Sequence, residues 1–363
     1  MFNYYKKQFK DDILLEFTIK QEARIWLKIK SITRKEYLLK FIKTNNFAIK
    51  STKLEKQFEE LFNLSLNDLN SFESKINNFI NSENIISLSK SETQKIVDEL
   101  YKMSIFHWGG DYKNALDKHL VDKYVKVYKS YEILNGKIET EVYASARGYV
   151  LCSWYNHWSS IIIENLFKTH KSVLSAIGQV KKVDFFIQDI PFDLKTTYLP
   201  ENFLIKKRKQ TKLKTELQEL KYTAKKLKIS FDKNSSDTII FDQIKAKLQD
   251  SEDGQKTLDE LREFRKNLVQ ELIQNPRELI QNLYEEQGEL RFDASNRLFL
   301  VLIDTQSFDL SWQLKRNLPL LEEKIKQYLD NFHTKKLEDL QINFTYKNKG
   351  NFTAFADIIF ILK

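Results

Sequence analysis

Residues Lys181 to Pro200 read KKVDFFIQDIPFDLKTTYLP. Val183, Phe185 and Ile187 alternate with Asp184 and Phe186, and after Gln188–Pro191 a second run carries Phe192, Asp193, Leu194, Lys195 and Thr196. Alternation with period two is the mark of a strand, so this stretch predicts two short strands joined by a turn over Gln188–Pro191. Side chains of a strand point alternately to opposite faces, which sets Asp193 and Lys195 on one face. An antiparallel partner strand brings Asp184 beside them. Two carboxylates and a lysine then converge on an apolar hairpin, where charge is costly unless it is paired or holds a metal.

That set suits metal-dependent phosphodiester cleavage. Two carboxylates offer hard oxygen ligands to Mg²⁺, with Mn²⁺ as a substitute. The lysine orients the attacking water or neutralises charge on the phosphate. Asp184, a short gap, and then Asp193-Leu194-Lys195 resemble the PD-(D/E)xK nuclease signature, and IPFDLKTTYLP resembles its bacterial type II restriction-endonuclease branch. Val183 stands where that signature often has proline. The resemblance implies a restriction-endonuclease-like α/β core with a central mixed β-sheet flanked by helices. It also implies Asp184 and Asp193 as metal ligands and Lys195 as the group that positions water.

Upstream, Ile138 to His170 predicts a long helix, with Val142, Tyr149, Trp154, Trp158, Ile161 and Leu166 at helical spacing. Glu164 lies on it, with Ser160 and Asn156 one and two turns earlier on the same face. In the resembled family a helix before the first catalytic strand often carries an acidic residue facing the metal. The resemblance therefore offers Glu164 as a further metal-site residue; the other reading is a solvent-facing glutamate near a helix end.

Downstream, Lys206-Lys207-Arg208-Lys209 and Lys212 form a basic run that would track a DNA backbone, or else a solvated helix face. Residues 206–295 are charged and helical and read as an insertion; the part from Glu216 to Leu248 loosely resembles a small helix–loop–helix nucleic-acid-binding module of the SAP type. The core resumes at 296–363. Arg297–Ile303 is a continuous apolar run, as in a strand buried on both faces. A helix follows over Trp312–Leu329, with Pro319 bending it or marking its start, and then strands at Ile342–Tyr346 and Phe355–Leu362. Asp304 and Asp357 are expected as edge or turn carboxylates. Residues 1–137 are mostly helical and serve as support, DNA contact or dimerisation, and 138–205 hold the first part of the core.

The 363 residues carry 59 lysines and arginines against 50 acids, a net charge of +9 that favours a polyanionic partner. Cys152 is the single cysteine, so there is no internal disulfide framework. No Cys/His cluster has zinc spacing. The N-terminus MFNYYKKQFKDD lacks a signal-peptide core and no apolar run is long enough for a membrane span, so the expectation is a cytoplasmic protein with no membrane partner. The resemblance to the PD-(D/E)xK restriction endonucleases implies Mg²⁺-dependent cleavage of double-stranded DNA, as a site-specific enzyme of a restriction-modification system. A homodimer would match a palindromic site, and a DNA methyltransferase would act on the same site. A repair or structure-specific nuclease on the same core, and a non-catalytic nucleic-acid-binding protein, are the alternatives.

Overall fold

A mixed, open six-stranded sheet runs through the larger part of the chain, in the order β1-β2-β3-β4-β6-β5. The strands are β1 (Val173–Val180), β2 (Val183–Ile187), β3 (Ile190–Tyr198), β4 (Arg297–Ile303), β5 (Gln341–Thr345) and β6 (Asn351–Leu362). The structure, a computed structural model, describes residues 1–83, 88–109, 116–180, 182–233, 237–288 and 292–363. The chain divides into two compact units. One holds 1–84, 172–314 and 327–363; the other holds 85–171 and 315–326. The N-terminal helices up to residue 83 thus belong with the sheet, and the rest of the expected N-terminal region does not.

β1, β2 and β3 form an antiparallel meander. The β2–β3 turn is tighter than its sequence implied. Ile187 pairs with Ile190, so only Gln188 and Asp189 turn the chain, both with positive φ (47° and 65°). Such two-residue turns match the right-handed twist of the strands they join. Pro191 lies inside β3, opposite Phe186, and not in the turn. Its missing N–H points away from β2, towards the side where β4 begins only opposite Asp193, so no ladder bond is lost.

β3, β4 and β6 are parallel. A parallel pair needs a crossover, and among the described residues five helices from Glu201 to Glu285 supply it between β3 and β4. All seven residues of β4 are buried, as its unbroken apolar run predicts. The expected helix over Trp312–Leu329 instead begins at Leu318, after a 3₁₀ segment over Phe308–Arg316; Pro319 sits in its first turn, where the absent N–H has no intrahelical acceptor to lose. β6 begins four residues earlier than its apolar run, because Asn351–Ala354 pair with β5.

Two apolar clusters join helices to strands of the sheet. Trp26, Phe58, Phe62 and Ile76 of the N-terminal helices pack with Val180, Val183 and Phe186. Phe203, Leu268, Leu279 and Tyr284 of the crossover pack with Phe299, Val301 and Ile358. Lys28, on the helix Gln21–Ser31, is fully buried and pairs with Glu73 at 2.7 Å and with Asp189 of the β2–β3 turn at 2.5 Å. Buried charge persists only with such partners, so this trio fixes the turn against the helices.

In the second unit, Ser89 and Glu92 form a capping box on the helix Lys90–Tyr101. The buried Arg316 donates from Nη1 to the carbonyls of Leu100 and Met103, both at 2.8 Å. A cation there answers acceptors that the helix end leaves open. The expected long helix spans Tyr143–Lys168 and follows a π-turn at Ile138–Val142.

Candidate functional site

The hairpin sets its two aspartates by strand register. The β2–β3 ladder runs from Ile187↔Ile190 to Phe185↔Phe192, and one more step sets Asp184 across from Asp193. The ladder stops there. In alternation, the N–H of Asp193 points to β4 and donates to the Asn296 carbonyl at 2.9 Å. The N–H of Leu194 points towards β2, and the Asp184 carboxylate accepts it at 2.7 Å. A side chain thus takes the place of a backbone acceptor where the two strands part. Asn296, itself buried, ties the junction: Nδ2 donates to Thr18 Oγ1 and to the Pro191 carbonyl, and Oδ1 accepts from the Phe355 amide.

Asp193 is 7% exposed, and its carboxylate takes Lys195 Nζ at 2.8 Å on Oδ1 and 2.6 Å on Oδ2. Lys195, two residues on and therefore on the same face, has its side chain 46% exposed. Burial pushes the Asp193 carboxyl above its ordinary range; Lys195 and Arg297 pull against it. Two carboxylates from neighbouring strands, one of them buried at a cost, fit Mg²⁺, which takes one or two carboxylates and keeps several waters. Among the described residues no three His, Cys, Asp or Glu side chains gather into a closed metal cage.

Sequence reasoning did not find the third side of this site. Arg297 opens β4 directly beside Asp193 in register, is buried, and places Nε 3.7 Å from Asp193 Oδ2. Its Nη2 donates to Asp293 Oδ1 at 2.9 Å, and its guanidinium stacks on the Tyr284 ring at 5.0 Å. The Tyr284 hydroxyl donates to the Ser295 carbonyl at 2.8 Å. Burial works against ionising Asp293, but Arg297 and the hydroxyl and amide of Ser295 outweigh it, so its carboxyl stays below the usual range. The only local sequence signal was a basic residue at the head of an apolar strand.

The other expected residues lie on other elements. Glu164 lies on the Tyr143–Lys168 helix of the second unit and pairs with Lys168 one turn on. In that unit Asn156 Oδ1 accepts from Lys315 Nζ at 2.8 Å, and burial brings the Lys315 ammonium down to about 8. The basic run lies on the helix Glu201–Gln210 and the turn after it. Lys209 and Lys212 are exposed. Lys206 pairs with Glu278 at 3.4 Å, and Lys207 bridges Glu271 and Glu278 at 2.9 and 2.6 Å. Arg208 is buried, donates to the Lys214 carbonyl at 2.6 Å and stacks on Phe264. Lys207 and Arg208 therefore serve the crossover's own packing, since a helix turns neighbouring residues of a basic run to different faces.

Asp304 is buried and caps the loop after β4, accepting the amides of Gln306 and Ser307 at 3.0 Å. Asp357 is buried on the sheet face opposite Arg297, with Lys335 at 2.7 Å. No helix among the described residues is long and apolar enough to cross a membrane. Comparison with protein-family models, with curated proteins and with solved structures finds no match to this chain.

Proposed function

We propose that this chain is a Mg²⁺-dependent endonuclease that hydrolyses phosphodiester bonds of double-stranded DNA, of the site-specific restriction type. The observation that carries the reading is the buried Asp193, set across a hairpin from Asp184, with the half-exposed Lys195 on its carboxylate. A buried aspartate with a raised pKa costs stability, and such costs concentrate where chemistry is done. The antiparallel meander that continues into a parallel strand across a helical crossover supports reading the sheet as a restriction-endonuclease-like core. The net charge of +9 supports a polyanionic substrate.

In this reading Asp184 and Asp193 hold the ion. When bound, Mg²⁺ lowers the pKa of a water and offsets charge on the phosphate. Lys195, whose side chain reaches solvent, would orient the attacking water and neutralise charge on the phosphate. Arg297, stacked on Tyr284 and bonded to Asp293, would keep Asp193 aimed.

The test is incubation of unmethylated plasmid and phage DNA with the purified chain, in Mg²⁺ and in EDTA, beside Lys195→Ala. Sharp bands that need Mg²⁺ and vanish in the variant are the expected result. A Mg²⁺-dependent smear would keep the chemistry and remove the site specificity. Intact duplex in every lane would sink the reading.

A further inference from the structure

The stretch Leu116–Val142 is helical for most of its length, yet among its 27 residues only Tyr124 is buried. Helices this short are marginal in water without an apolar face packed against something. The apolar side chains are present but turned outward. Val125, Val127, Tyr131, Ile133, Tyr143 and Val150 are each more than half exposed, Tyr131 reaching 78%. They are six of the eleven large apolar side chains exposed to that degree among the described residues, within a span of 26. At roughly 100 Å² each they offer on the order of 600 Å² of apolar surface, the upper edge of what a monomer leaves bare. Such an area approaches the ~800 Å² that each partner gives to a standard protein interface.

The charges decide what covers it. Residues 116–150 hold six basic side chains (Lys118, Lys123, Lys126, Lys129, Lys137, Arg147) and five acidic ones. Several are already paired with each other, Lys126 with Asp122 and Lys137 with Glu141. A polyanion or an anionic lipid surface gains little from a near-neutral patch. A surface that is apolar and balanced in charge is complementary to itself, as a two-fold contact requires.

We propose that residues 121–150 form the surface through which two copies of this chain associate. This inference stands on exposure and charge and is independent of the nuclease reading: a dimer that cleaves nothing supports it, and a cleaving monomer overturns it.

The test is sedimentation equilibrium of the full chain from micromolar to tens of micromolar, beside the double variant Tyr131→Glu/Ile133→Glu and the control Tyr222→Glu. Tyr222 is similarly exposed but lies on the crossover. The expected result is a dimer for wild type and control, and association weakened about 100-fold or more in the double variant. Unchanged melting of the double variant would show that the surface, and not the fold, was lost. A monomeric wild type at tens of micromolar, with or without duplex DNA, overturns the proposal, and so does a dimer that the double variant leaves intact.

Discussion

Asp193 on β3 and Asp357 on β6 are buried aspartates of one sheet, 7% and 8% exposed, each with a lysine within 2.7 Å. They differ in what else surrounds them. Asp357 is closed in: the Tyr328 hydroxyl donates to Oδ2 at 2.9 Å, Lys335 lies at 2.7 Å, and the Ile358 amide donates to Oδ1 at 2.9 Å. Burial, and then the charge of Asp357, push the Tyr328 phenol far above its usual range. Asp193 is held by a lysine that reaches solvent and by an arginine whose buried Nε comes close without a hydrogen bond. A carboxylate that a tyrosine hydroxyl and a backbone amide hold besides its lysine belongs to the fold. One whose main partner can swing away is available to a ligand.

The comparison breaks first on activity. Asp193→Ala is expected to lower Mg²⁺-dependent cleavage by roughly a thousandfold or more, while Asp357→Asn stays within a few-fold of wild type at matched folded fraction. Equal losses in a plasmid-nicking time course would erase the distinction between the two aspartates.

The hairpin that carries Asp193 is held at its far end by the buried Lys28. Replacing that lysine by methionine leaves Glu73 to Gln21 and Arg24 alone and frees Asp189 of the turn, so urea unfolding should show a loss of about 3 kcal/mol. A loss under about 1 kcal/mol would mean that the clamp contributes little.

For Asp357→Asn the expected cost is about 2 kcal/mol in the same assay, the value of a hydrogen bond to a buried charge. Asp193→Asn should go the other way and raise stability at neutral pH. The sign follows from burial, which lifts the folded pKa of Asp193 above its unfolded value, so protonation favours the fold. The advantage of the asparagine variant is therefore full at neutral pH and shrinks as pH falls through that raised pKa. An advantage that grows towards acid would reverse the assignment. Added Mg²⁺ should narrow the gap at neutral pH, because only the aspartate gains from the ion.

Much of the sheet was legible because period-two and unbroken apolar runs are local signals. β4 is read directly from Arg297–Ile303, and the aspartates of the hairpin from their nine-residue spacing. β1 was not read: Ser175, Gly178 and Gln179 dilute its apolar alternation, and tertiary pairing with β2 overrides weak local preference. Pro191 was read as a turn residue because its tolerance inside β3 depends on where β4 begins, which no local window contains. Arg297 and Asp293 reach Asp193 only through the parallel β3–β4 register, across the whole crossover. Lys207 and Arg208 looked like phosphate contacts because composition does not say which side of a helix faces inward.

The crossover also sets the order of events during synthesis. The two-residue turn lets β2 and β3 zip within microseconds once both have left the ribosome. β4, which completes the other edge of β3, lies about 100 residues later, which at 5–20 residues per second means a wait of about 5–20 s. Through that interval the nascent chain exposes β3 as an open edge, with its unpaired amides and carbonyls available to any neighbouring strand. The wet, charged end around Asp193 and Lys195 lies on that edge. The same charges that the finished sheet holds at a cost then act as gatekeepers against cotranslational aggregation.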